Sequence, residues 1–197
     1  LDAARRNADR GYADVALFEV GPKYAGDGED GQAIVAAAIR TGRTGDRHWS
    51  AAARPVDAWD AKADALAALE AAGAPVGNLQ VTADAPAWYH PGRSGVFRLG
   101  PNALASFGDI HPAVLKAMDI DGPAVGCVVN LHLIPVPKQK KKSGGAAARP
   151  LLTLSPFQPV HRDFAFVVDA GVAAADIVRS AAGVDRTLIT DVQVFDV

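Results

Sequence analysis

Residues 155–169 read SPFQPVHRDFAFVVD, and residues 188–197 read LITDVQVFDV. In the first stretch a proline-bearing lead runs into Phe164-Ala165-Phe166-Val167-Val168-Asp169, an apolar run with strand character. Between the two stretches, residues 173–182 carry a helical pattern with Ile177 and Val178 on one face. Strand, helix, strand is one β-α-β unit, half of the β-α-β-β-α-β arrangement called ferredoxin-like. The second strand ends with the chain, so residues 155–197 are expected to form the first, truncated half of such a domain. Phe164, Phe166 and Phe195 could offer stacking platforms like those on RNA-binding sheets. Phe164 and Phe166 share a face with Val168, however, and burial under Ile177 and Val178 is the expectation for that face.

Upstream of this unit the composition shifts. Residues 135–150 read PVPKQKKKSGGAAARP, with prolines, glycines and lysines and no apolar periodicity. Residues 136–154 are therefore expected to be a linker or long loop. Residues 1–135 form a separate module. Its first ten residues read as the tail of a helix, followed by strands over 14–21 and 33–40 joined through a Gly/Asp turn. Residues 57–72 are the clearest helix: Asp57 can cap it, alanine is abundant, and Gly73 with Pro75 stops it. Its apolar face is expected on Trp59, Leu66 and Leu69. Strands are expected over 76–83, 95–99 and 125–134, with a turn-rich stretch over 86–94. His111-Pro112 opens a second helix, proline sitting where a missing N–H costs nothing. Several strands with two helices make an antiparallel α+β module.

Composition bounds the function. The 197 residues are 49% hydrophobic and 21% charged, ordinary values for a folded chain. A net charge of −2 argues against binding nucleic acid through bulk positive charge, though one patch could still touch RNA. The one cysteine, Cys127, lies in an apolar run, fits a reducing cytoplasm, and reads as a buried thiol. No apolar run approaches the ~18–20 residues that span a bilayer, so no membrane role is expected.

Motifs that suggest chemistry fail on physical grounds. Residues 26–31, GDGEDG, match a dinucleotide fingerprint letter for letter. That motif needs a helix behind it, whereas a strand follows here and Asp27, Glu29 and Asp30 would repel phosphate. The five histidines, 48, 90, 111, 132 and 161, show no metal-ligand spacing. His132 alternates with Leu131 and Leu133 as a sheet-surface residue would. His90 and His111 each precede proline and are expected to cap or turn.

Four blocks upstream of the terminal unit are distinctive in their order: VALFEVGPKY (15–24), HWSAAARPVDAWDAKADALAALEAAG (48–73), WYHPGRSGVF (88–97) and FGDIHPAVLKAMDI (107–120). Together with SPFQPVHRDFAFVVD and LITDVQVFDV, they resemble the C-terminal part of the phenylalanyl-tRNA synthetase beta-subunit family. The resemblance implies a non-catalytic module related to class II synthetase cores, then the start of a ferredoxin-fold anticodon-binding domain. It implies a piece of an enzyme that attaches phenylalanine to tRNA(Phe) with ATP and magnesium, as an α2β2 assembly with an alpha subunit that carries out adenylation. The gripping arginines of a class II ATP site and the family's magnesium carboxylates find no match, with Gly92-Arg93-Ser94 the nearest candidate, in a turn. No catalytic or metal residue and no cofactor is therefore assigned to this piece. Arg162, at the start of a strand, could pair with Asp163 or Asp196, or contact tRNA; Lys140, Lys141 and Lys142 could meet its phosphates. An alternative is an amino-acid-sensing regulatory module of ferredoxin-like fold. Such modules place glycine-rich turns after the first strand, where this chain has only Gly171.

Overall fold

A computed structural model of the chain describes residues 1–28, 31–45, 48–50, 52–136, 151–152 and 154–195. Cα packing divides the chain into two units, Leu1–Lys142 and Ser143–Val197.

The first unit opens with helix α1 (Asp2–Ala8), then β1 (Val15–Tyr24) and β2 (Gln32–Thr41). Ala25 N–H donates to the Gly31 carbonyl at 2.7 Å and Gly31 N–H to that of Gly28 at 3.0 Å, closing a hairpin turn. Gly26, Gly28 and Gly31 of the GDGEDG stretch thus lie at a hairpin turn, with a strand behind them. Helix α2 (Ala58–Ala71) follows, then β3 (Gln80–Thr82), β4 (Tyr89–Leu99), β5 (Asn102–Ile110), α3 (Pro112–Ala117) and β6 (Ala124–Asn130). The strands form one six-stranded antiparallel sheet in the order β1-β2-β6-β5-β4-β3. The α+β reading of this module holds.

Helix α2 starts where its chemistry dictates. The Asp57 carboxylate accepts from Trp59 and Asp60 N–H, and the Asp60 carboxylate accepts from Asp57 N–H, a reciprocal capping box. The buried face of α2 is Ala61, Ala65 and Leu69, whereas Trp59 and Leu66 point outward, unlike the expected apolar face. Alanines let the helix lie close over β5 and β6, and ion pairs hold its flank. Arg40 of β2 grips Asp64 through two hydrogen bonds at 2.6 and 2.8 Å, and Arg54 grips Asp60 at 2.7 and 2.8 Å. Beneath lies a core of Leu69, Leu104, Val125 and Val129, with the rings of Phe97 and Phe107 4.9 Å apart.

Three elements differ from the sequence reading. The stretch 102–110 is a strand, and β4 begins at Tyr89, inside the stretch read as turn. Its register slips: Tyr89 faces Ile110, but Ser94 faces Gly108, so residues 90–93 bulge out. The bulge requires glycine at 108, where φ is +149° and a Cβ would stand 2.4 Å from that of Ser94. Strand β6 stops at Asn130, and His132 sits on a 3-10 turn, Leu131–Leu133, instead of a sheet surface.

In the second unit helix α4 (Ala174–Val184) forms over the expected stretch. The strands expected on either side do not: among the described residues 164–169 and 188–195 join no ladder. Among the described residues, only the helix of the expected β-α-β unit is formed. Phe164 and Phe166 are 71% and 65% exposed, their rings stacked 6.3 Å apart, instead of lying buried under Ile177 and Val178. One helix has too small a face to cover two strands and offset the cost of ordering them, ~1–2 kcal/mol per residue for the backbone.

Candidate subunit interface

Strand register identifies a face of the first unit left bare. Ala36 and Ala38 of β2 pack against the core under α2, and across the ladder they face Val20 and Phe18 of β1. Side chains directly opposite in a ladder share a face. Phe18, Val20, Pro22 and Tyr24 thus stand on the α2 side of the sheet, with Ile34 opposite Pro22. Helix α2 lies over β5 and β6 and reaches only β2, so β1 is beyond its cover. Phe18 is 83% exposed, Tyr24 68% and Val20 56%. A contiguous row of large apolar side chains on one strand is unusual for a free surface and marks a contact site.

The strip works through side chains. β1 is the outer strand of the sheet, where a row of free N–H and C=O groups could receive another strand. Pro22 supplies no N–H in the middle of that row, and such prolines are tolerated in edge strands because no ladder is to continue there. Lys23 donates to Asn130 Oδ1 at 3.3 Å, and the Asn130 amide donates to the Ala103 carbonyl at 3.0 Å. These bonds tie the far end of β1 to β6 and β5, so the strip is presented on a braced sheet.

The sheet's arginines are committed to carboxylates. Arg40 holds Asp64, Arg93 reaches Asp109 at 3.1 Å, and Arg98 pairs with Asp84. None of these three is placed as a free grip for a phosphate. Among the described residues no three His, Cys, Asp or Glu side chains gather as metal ligands. Cys127 is buried, and burial pushes its thiol up to about 11, which leaves it a packing group.

The sequence-derived contact residues scatter. Arg162 is exposed, and its guanidinium donates to the His161 carbonyl at 3.3 Å; it makes no ion pair with Asp163. Asp196 and Lys140, Lys141 and Lys142 lie outside the described residues, so no cluster with Arg162 is defined. The sequence led to the expectation of an exposed apolar patch on this module but not to its residues, although their signal is visible: Phe18, Val20 and Tyr24 fall at even spacing on one strand. Period-two alternation shows which side chains share a face and leaves open whether that face is covered.

The comparisons with known proteins agree across the chain. The model for the phenylalanyl tRNA synthetase beta chain CLM domain matches residues 1–131. A phenylalanine--tRNA ligase beta subunit of Rhodospirillum rubrum is 57% identical over 197 residues, all of this chain and 24% of that protein. The corresponding subunit of Paramagnetospirillum magneticum is 51% identical over 196 residues, again covering 24% of its length. The chain thus spans about a quarter of the curated relatives it matches. Among solved structures, a pyrrolysyl-tRNA synthetase of Desulfitobacterium hafniense aligns with TM-score 0.47 and 18% identity, over 66% of this chain and 43% of that one.

Proposed function

The chain belongs to the phenylalanyl-tRNA synthetase beta-chain family, and from that premise we propose that its first unit is a scaffold through which the enzyme's subunits assemble. The observation that carries this reading is the bare apolar strip of Phe18, Val20 and Tyr24. The partner is the alpha subunit, in an α2β2 assembly that charges tRNA(Phe) with phenylalanine, using ATP and magnesium held elsewhere in the enzyme. With its sheet arginines paired to carboxylates, this piece performs no adenylation itself. Residues 1–135 act as the synthetase-like module, 136–154 as a linker, and 155–197 as the start of the anticodon-binding domain. Arg162, Lys140, Lys141 and Lys142 touch the tRNA backbone. The assembly works in the cytoplasm; no helix of the described residues is long and apolar enough to cross a membrane. Nothing in the comparisons supports the amino-acid-sensing alternative.

Sedimentation of the chain mixed with the alpha subunit tests the interface. A stable heterocomplex is expected, and Phe18→Ser with Tyr24→Ser should weaken it at least about tenfold, the effect of losing buried aromatic anchors. A chain that stays monomeric beside the alpha subunit, or a complex indifferent to both changes, overturns the assignment. The chain alone, given phenylalanine and ATP, should show no pyrophosphate exchange.

A further inference from the structure

We propose that Asp121-Gly122, in the turn that feeds strand β6, is a self-modifying site at which the chain rearranges to isoaspartate. Asp121 is exposed and makes no hydrogen bond or ion pair with a described residue. Its side chain borders an open hollow shared with Pro112, Leu115 and Lys116, so it has room to turn. Gly122 N–H donates to no described residue either. Gly122 sits at φ +84°, and a Cβ built there would find nothing within 4 Å, so its nitrogen is uncrowded. Asp119, two residues earlier and also exposed, lacks both conditions. Its following residue, Ile120, is buried and β-branched, and the Ile120 N–H is engaged with the Leu115 carbonyl at 3.0 Å.

The reaction needs only the chain and water. The Gly122 nitrogen, giving up its proton, bonds to the side-chain carbonyl carbon of Asp121 in its acid form. One carboxyl oxygen leaves as water, and a five-membered succinimide closes. A water then opens the ring at either carbonyl. Opening at the side-chain carbonyl restores Asp121. Opening at the main-chain carbonyl leaves the peptide routed through the side chain, with one extra methylene and a free α-carboxylate. One water leaves and one enters, and nothing is oxidised or reduced.

Position makes this rearrangement consequential. The turn is a short tether between two buried anchors, Ile120 and Ala124. Ala124 faces Thr41 at the end of β2, and β6 pairs with β2 on one side and β5 on the other. The Pro123 carbonyl accepts from Gly42 N–H at 3.0 Å, and the Gly42 carbonyl accepts from Val56 N–H at 3.0 Å, one residue ahead of the Asp57 cap of α2. A methylene lengthens the tether by about 1.5 Å next to that chain of bonds. The turn, the end of β2 and the approach to α2 are therefore disturbed together. Asp27-Gly28 is the same dipeptide in the β1–β2 turn, but the Ala25–Gly31 and Gly31–Gly28 bonds there hold only their own hairpin.

The test is ageing of the full chain in oxygen-18 water near neutral pH, read residue by residue by mass spectrometry. Each ring opening leaves one heavy oxygen, and Asp121 should gain it about tenfold faster than Asp119, because glycine presents no Cβ beside the attacking nitrogen. A protease that cuts before aspartate should progressively lose its cut at 121. In the aged chain the Gly42 and Val56 amides should lose protection from exchange about tenfold in the rearranged fraction, with Leu104 unchanged. Asp121→Glu keeps the charge but requires a six-membered ring, which closes slowly. Aged alike, that variant should keep Gly42 and Val56 protected while Asp27 still gains heavy oxygen. Incorporation at Asp121 no faster than at Asp119, a cut at 121 that never fades, or the same loss at Gly42 in the Asp121→Glu chain overturns the proposal.

Discussion

The sheet unit and the segment 154–195 are made of similar residues and use them differently. Both have apolar runs, and both have an alanine-rich helix. In the sheet unit α2 lies over strands that are already paired, so its small inner face of Ala61, Ala65 and Leu69 closes a core. In the segment, α4 turns Ile177, Val178, Ala181 and Ala182 to one side, where they are only partly covered, and no described residue there is fully buried. Helix ends differ as well. α2 has its reciprocal box on Asp57, while α4 begins after Ala173, whose side chain caps nothing. Helix propensity builds a helix in both places, and only pairing between distant strands makes a core.

The largest test of this contrast is exchange protection. Backbone amides of Leu104 and Val129 should exchange more slowly than those of Phe166 and Val194 by about three orders of magnitude, the span between core and frayed segments. Equal protection in a dilute monomer breaks the comparison. Next comes the core itself: Leu69→Ala should cost ~2–5 kcal/mol in chemical denaturation, whereas Ile177→Ala should leave that transition within about 0.5 kcal/mol. Capping gives a smaller, two-way effect. Asp57→Ala should destabilise the sheet unit by ~1 kcal/mol, and Ala173→Ser should raise helical content in the segment, read by circular dichroism.

The smallest effect concerns two carboxylates. Arg98 and Thr82 hold Asp84 down to about 2, and the Leu188 and Thr187 N–H groups lower Asp185 from its ordinary value. A depressed carboxyl stabilises above its unfolded value near ~4 and loses that contribution as pH falls toward the folded value. Asp84→Asn should therefore flatten the acid limb of the sheet unit's stability between about pH 4 and pH 2. Asp185→Asn should leave that limb unchanged; a shift there would mean that the segment supports the sheet.

Local chemistry was readable in the sequence wherever it decided the outcome. Asp57, Gly73 and Pro75 bounded α2, and His111-Pro112 opened α3. The β1–β2 hairpin followed from two apolar runs around a Gly/Asp turn. Non-local chemistry was not readable. Strand β5 mixes Asn102, Ser106, Gly108 and Asp109 with its apolar residues and is a strand through its pairing with β4 and β6. The bulge at 90–93 hides behind a His-Pro-Gly run that resembles an ordinary turn. Phe164-Ala-Phe-Val-Val has strand composition, but a strand needs a neighbour, and composition does not supply one. The candidate interface failed to announce itself for the same reason, since exposure belongs to the whole sheet.

Pro22 carries one more consequence. A sheet ending in Phe, Val and Tyr is the kind of edge on which cross-β fibres grow, each new chain docking its backbone on the last. One absent N–H interrupts that growth at its first step. The side chains stay adhesive while the backbone refuses a further strand, so the edge can be sticky without templating ordered deposits.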